Sequence, residues 1–126
     1  MGITIEKLSE LPFLIMETDM LDEQIKYYKE WSGTIGINDP QTIALCDELS
    51  ELLTIRRKQI IAKINLYAEC IRAAPDPLLR EIMTLRFFDG LSWISVGIKM
   101  KMTDKSISKQ VYRYLKKYNA ATDNPD

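Results

Sequence analysis

Residues 77–117 read PLLREIMTLRFFDGLSWISVGIKMKMTDKSISKQVYRYLKK, and the reading of this stretch decides the fold. It divides into three short helices joined by two tight connections. Asp76-Pro77 opens the first: the aspartate accepts hydrogen bonds from free amides of the first turn, and proline is pre-set for the first helical position. Leu78, Leu79, Ile82, Met83, Leu85, Phe87 and Phe88 then recur at helical spacing, mostly along one side. Asp89-Gly90 ends that helix, because glycine enters the left-handed conformation without a Cβ clash. Ser92 is the N-cap of a second helix through Trp93, Val96, Gly97 and Met100. Beyond a turn at Lys101-Met102, Thr103 caps a third helix that carries Ile107, Val111, Tyr114 and Leu115 inward.

Two short helices with a turn of about three residues, braced by a preceding helix, make a helix-turn-helix. Gly97 fits this pattern. As the fifth residue of the first helix of the pair it faces its partner's backbone, where only a small side chain avoids a clash. The third helix exposes Lys105, Ser106, Lys109, Tyr112, Arg113 and Lys116, which are donors to phosphates and base edges with an aromatic among them. Ser92 and Thr103, as N-caps, stand where helix amides face backbone phosphates. The charge agrees. Residues 77–118 carry nine bases against three acids, a net +6, in a chain whose total is −1. Such a local basic excess is the footprint of a nucleic-acid surface.

The run TLRFFDGLSWISVGIKMKMTDKSISKQVYRYLKK resembles the fourth conserved region of bacterial sigma factors. It looks closer still to the short sigma-like regulators encoded by phages and prophages of Gram-positive bacteria, the ArpU type. The matching residues are Leu85-Arg86-Phe87, Asp89-Gly90, Leu91-Ser92-Trp93, Thr103 and Tyr112-Arg113. The resemblance covers roughly the last 45 residues, and the helical leader only in general style. This chain departs from the family pattern in three places. Ile94-Ser95 replaces the acidic pair usual after the tryptophan, Ile98 stands at a normally polar position, and Lys101 replaces the turn glycine. A non-glycine residue in a left-handed turn costs roughly 1 kcal/mol. The two isoleucines, at spacing i, i+4 on the usually solvated side, form a second apolar stripe that calls for a cover.

The whole chain sets the frame. Its 126 residues, 46% hydrophobic and 28% charged, are ordinary for one globular domain with at most a small appendage. No run of about eighteen apolar residues is present, so no membrane span is expected. MGITIEKLSELPF lacks a basic region followed by an apolar core, so no secretory leader is expected either. Cys46 and Cys70 have no near cysteine partner and the chain has no histidine, which argues against zinc. Both fall in one long helix, about 36 Å apart, and read as small buried hydrophobes in a reducing cytoplasm.

Residues 1–74 read as a helical hairpin for oligomerisation or protein contact. Residues 1–11 hold a short helix around Ile5 to Glu10. Ser9 is expected to cap a helix with Pro12 in its first turn that runs to Trp31, and Ser32-Gly33-Thr34-Ile35-Gly36-Ile37 breaks it. Asp39-Pro40 restarts the chain, and a second helix follows to about Ala73, inward at Ile43, Cys46, Leu49, Leu53, Ile60, Ile64, Tyr67 and Ile71. Arg56-Arg57-Lys58 interrupts its middle and reads as a solvated, ion-paired face, with Glu48 and Glu51 nearby. Eight bases against twelve acids give residues 1–74 a net −4, so this half is not a phosphate-binding surface. The second helix outruns the first, and its overhang needs the C-terminal unit, residues 1–11 or a second copy to cover it. Together with Ile94 and Ile98 this makes a homodimer the expected state. Residues 75–118 form the helix-turn-helix unit, and 119–126 are expected to fray.

Nothing in the sequence points to an enzyme. There is no histidine, no phosphate-cradling Gly-rich loop and no nucleophile set beside a base. No cofactor or metal is expected. The expected fold is all-α, a long helical hairpin followed by a three-helix helix-turn-helix unit. The resemblance implies a cytoplasmic phage or prophage transcription regulator that binds double-stranded DNA and works with host RNA polymerase. Two alternatives share these features: a DNA-packaging protein like a small terminase subunit, and a helical adaptor that binds only protein.

Overall fold

A computed structural model of the chain describes residues 2–34 and 39–122. Among these residues all regular structure is helical. In chain order come α1 (Ile5–Leu8), α2 (Leu11–Thr34), α3 (Pro40–Arg72), α4 (Pro77–Met83, prolonged by a π-helical turn over Thr84–Phe88), α5 (Trp93–Met100) and α6 (Asp104–Ala121). The all-α class read from the sequence is the class observed. The chain divides into two compact units: Leu14–Ile64, and Met1–Phe13 with Asn65–Asp126.

Leu14–Ile64 is a hairpin of α2 and α3. Asp39 starts α3 as expected, its carboxylate accepting from the Gln41 and Thr42 amides at 3.2 and 3.4 Å and from the Thr42 hydroxyl. The Thr42 hydroxyl, more than the amides, holds the Asp39 carboxyl below its ordinary range. Leu14, Thr18 and Leu21 of α2, and Cys46 and Ser50 of α3, are buried at the three- and four-residue spacing of a helix seam, and Ile60, ten residues further along α3, is buried too. The two buried hydroxyls donate within their own helices, Thr18 to Leu14 O and Ser50 to Asp47 O, both at 3.0 Å. Neither donor is therefore left unsatisfied. Arg56 pairs with Glu17 at 3.3 Å, and Arg57 pairs with Asp22. The arginines are ion-paired as expected, but across the hairpin rather than to Glu48 and Glu51 of their own helix. Being largely exposed, each pair contributes about 0–1 kcal/mol.

Two helix ends differ from expectation. Ser9 closes α1 instead of opening α2: its hydroxyl donates to Ile5 O at 2.7 Å, while Thr4 caps α1 by accepting from the Lys7 amide. At the far end α2 continues through Gly33 to Thr34, past the break placed at Ser32. A short unfavourable run costs too little to stop a long helix at once. Residues 35–38, the rest of the expected connection, lie outside the described residues.

In the second unit, Tyr67, Ala68, Cys70 and Ile71 at the end of α3 are buried, as are Ile3, Leu8 and Leu11 near the N-terminus. Ile82, Met83, Phe87, Val96, Ile107 and Val111 complete this core, each fully buried. The Tyr114 hydroxyl donates to the Cys70 carbonyl at 2.6 Å and ties α6 to α3. The overhang of α3 is thus covered within the chain. The boundary expected at residue 74 falls instead inside α3, because its last turns pack with the C-terminal helices.

Asp76 caps α4 by accepting from the Leu78 amide at 3.0 Å. The π-helical turn was not foreseen. Its wider step, seen in Asp89 N–H donating to Thr84 O at 3.1 Å, carries Leu85 and Phe87 both inward while Leu78 stays 42% exposed. Gly90, at φ 72°, then reverses the chain.

Burial raises the Cys70 thiol from 9.0 to about 12 and moves the Tyr114 and Tyr118 phenols up as well. The folded chain then keeps a proton that the unfolded chain loses above pH 9, so stability falls as pH rises from about 9 to about 12. One such group costs about 1.4 kcal/mol per pH unit in that window. Urea midpoints should decline between pH 9 and 11, and Cys70→Ala should make the decline shallower.

Candidate nucleic-acid interface

The sequence dictates the corner between α5 and α6 residue by residue. Ser92 Oγ accepts from the Ser95 amide at 3.1 Å and starts α5. Lys101 ends it in the left-handed region, at φ 56° and ψ 45°, a conformation that glycine takes without strain. The Met102 amide then donates to Gly97 O at 2.9 Å, and Thr103 Oγ1 accepts from the Ser106 amide at 3.2 Å to start α6. A Cβ on Gly97 would stand 2.6 Å from the Met102 carbonyl oxygen. Real Cβ atoms do not approach backbone so closely, which gives the physical reason for glycine here.

Behind the corner Arg86, Phe87, Leu91 and Trp93, four of the residues that carried the resemblance, meet in one cluster. The Arg86 guanidinium lies 4.9 Å from the Trp93 ring centre and 5.8 Å from that of Phe87, and the two rings meet edge to face at 6.1 Å. Arg86 Nη1 also donates to Leu91 O at 3.2 Å. Arg80 is likewise engaged, Nη1 donating to Ala74 O at 2.6 Å. These two arginines hold the unit together and are withdrawn from any phosphate-facing set.

The remaining bases lie on the outside. Ile107, Val111 and Leu115 face the core, and Lys105, Ser106, Lys109, Tyr112, Arg113, Lys116 and Lys117 are exposed along α6. Lys99 and Lys101 are exposed beside them. No ion pair among the described residues engages any of these cations, so their charge faces solvent. The structure therefore brings all six α6 residues chosen from sequence onto one helix, with Ser92 and Thr103 capping the two helix starts. Chemically, this arrangement offers ammonium and guanidinium groups, hydroxyls and one ring to a polyanion.

Sequence reasoning missed one flank of this face. Ile5 of α1 joins Lys105, Ser106, Ser108, Lys109 and Tyr112 in lining an open groove of about 680 Å³. Near the end of α6 a clamp holds the residues that precede α1: Asn119 Oδ1 accepts from Ile3 N–H, and Asn119 Nδ2 donates to Ile3 O, both at 2.9 Å. The tail expected to fray from residue 119 is accordingly helical to Ala121, because Asn119 is anchored. Its amide, able to donate and accept at once, was the only signal for this. Residues 123–126 lie outside the described residues.

Among the described residues no cluster of three or more His, Cys, Asp or Glu could hold a metal ion, and no helix is long and apolar enough to cross a membrane. Comparison with protein-family models, curated proteins and solved structures finds no match to this chain.

Gly97→Ala sets two effects against each other. Alanine favours a helix interior by about 0.5–1 kcal/mol over glycine, but forcing a methyl against backbone costs about 1–3 kcal/mol or more. The clash wins, because the Met102 carbonyl is not the end of a flexible side chain. A urea titration should give a net loss of about 1–2 kcal/mol; unchanged or increased stability would contradict the corner geometry.

Proposed function

We propose that this protein is a DNA-binding transcription regulator of the phage or prophage sigma-like type, a binding protein rather than an enzyme, working as a pair of identical chains in the host cytoplasm. In this reading α6 enters the major groove. Lys105, Lys109, Arg113 and Lys116 meet phosphates or base edges, Ser106 and Tyr112 add polar and stacking contacts, and the Ser92 and Thr103 caps aim helix amides at the backbone. The observation that carries the reading is the row of unpaired cations on the exposed side of α6, in a helix-turn-helix whose corner is closed by Gly97. The net −4 of residues 1–74 supports giving the DNA contact to the C-terminal unit alone.

A protein contact on α5 belongs to the same reading. Ile94 and Ile98 are 65% and 74% exposed, in positions where a DNA-only module needs no isoleucine. Host RNA polymerase is the proposed occupant of that stripe, since a sigma-like regulator acts through it.

Duplex binding followed by fluorescence anisotropy across a salt series tests the DNA contact. Lys109→Ala with Arg113→Ala should weaken binding and lower the slope of log K against log salt by up to about two phosphate equivalents. Unchanged affinity and slope would place the contact elsewhere.

A further inference from the structure

The groove beside α6 lies inside one compact unit, with α1 as its second wall. Ser108, Lys109 and Tyr112 follow Lys105 by three, four and seven residues, and Asn119 follows Tyr112 by seven more, so all five share a stripe along the helix. The chain is fastened on both sides of Ile5. Before it, Asn119 clasps Ile3 through both polar atoms of its amide, and Lys7 Nζ donates to Gly2 O at 2.9 Å. After it, Leu8 is fully buried in the core. Glycine at position 2 is part of the fit, because a Cβ there would stand 2.7 Å from the Asn119 amide that the two bonds to Ile3 pin in place. Ile3 and Leu8 thus fill the core, and Ile5 is left half-buried on the groove wall.

We infer that this groove seats one sugar-phosphate strand of the duplex that α6 reads, with Ile5 touching the strand and Asn119 the positioning residue that holds Ile5 there. This rests on the DNA reading above and extends its interface to α1, a helix that sequence alone assigned to the other half of the chain. The chemistry of the walls selects the occupant. Lys105 and Lys109 stand one turn apart, about 6 Å along the axis, and no ion pair among the described residues engages either of them. Ile5 and the Tyr112 ring add apolar surface, and Ser106 and Ser108 add hydroxyls. Glu6, the acid next to Ile5, is not among the lining residues. A DNA strand offers the matching pattern, apolar deoxyribose between anionic phosphates. The groove is also continuous with the outward side of α6: Lys105, Ser106, Lys109 and Tyr112 belong to both. A strand bordering the major groove that α6 enters therefore passes along it. Because the Asn119 clamp and the burial of Ile3 and Leu8 fix α1 in the free protein, this contact costs little ordering when DNA arrives.

The test is fluorescence anisotropy of the full chain on a labelled mixed-sequence duplex of about 30 base pairs across a salt series, with far-UV circular dichroism as the check on folding. Ile5→Lys should tighten binding several-fold at low salt and steepen the slope of log K against log salt by about 0.9, one phosphate equivalent. Ile5→Glu should weaken binding by a similar factor. Ile55→Lys, the same change of charge on the hairpin, should leave the slope where it was. Asn119→Ala should weaken binding, and in that background Ile5→Lys should no longer steepen the slope, a result that a general loss of stability does not produce. If Ile5→Lys loses helicity, Ser108→Lys on the opposite wall takes its place. A slope that Ile5→Lys leaves unchanged, while Lys109→Ala with Arg113→Ala lowers it, overturns the groove alone; that is the outcome if the groove takes an acidic protein segment instead. A gain from Ile5→Lys that survives Asn119→Ala overturns the positioning role of Asn119. No response from either Ile5→Lys or Lys109→Ala with Arg113→Ala overturns the DNA reading and the groove together.

Discussion

The C-terminal unit depends on one close approach, that of the Met102 carbonyl to Gly97, at a distance where no side chain fits. It sets how α6 leaves α5, and the Met102 amide closes the same corner by donating back to Gly97 O. Lys101 bears the cost. It holds a left-handed conformation that glycine takes freely, a penalty of roughly 1 kcal/mol. The fully buried Phe87, Val96, Ile107 and Val111 outweigh that cost, since burying each contributes about 1.5–3 kcal/mol. A lysine can therefore stand where the turn prefers glycine.

Once the corner is fixed, the placement of the cations follows. Ile107, Val111 and Leu115 recur every four residues and take the inner side of α6, so Lys105, Lys109, Arg113 and Lys116 are left outside. Arginine and lysine divide the labour. Arg80 and Arg86 donate to backbone carbonyls, and Arg86 also stacks on Trp93, tasks suited to a planar guanidinium. The lysines keep their charge in water, available to a polyanion. In the hairpin, by contrast, Arg56 and Arg57 are consumed by Glu17 and Asp22. The same residue types thus have different prospects, decided by the acids within reach.

Much of this was legible in the sequence because it is local. Asp39, Asp76, Ser92 and Thr103 all cap the helices assigned to them, and Gly90 and Gly97 occupy the positions their chemistry demands. What the sequence hid depends on distant partners or on altered pitch. Ser9 has the chemistry of either end of a helix, and only its bond to Ile5 O decides between them. The π-helical turn was masked by an apolar run dense enough to satisfy more than one period. Asn119 looked like tail until its amide met Ile3, 116 residues away. Among the site residues, the α6 positions followed from period alone, whereas Ile5 came to their flank through that same long-range clamp.

The claim on which the account rests is that the outward side of α6 meets a duplex while the hairpin does not. Amide chemical shifts of the ¹⁵N-labelled chain, followed as duplex DNA is added at low salt, test it directly. The account predicts shifts concentrated at the start of α5 and along Thr103 to Lys117, with Leu14–Ile64 unmoved. Shifts confined to the hairpin, or none at saturating duplex, would contradict it.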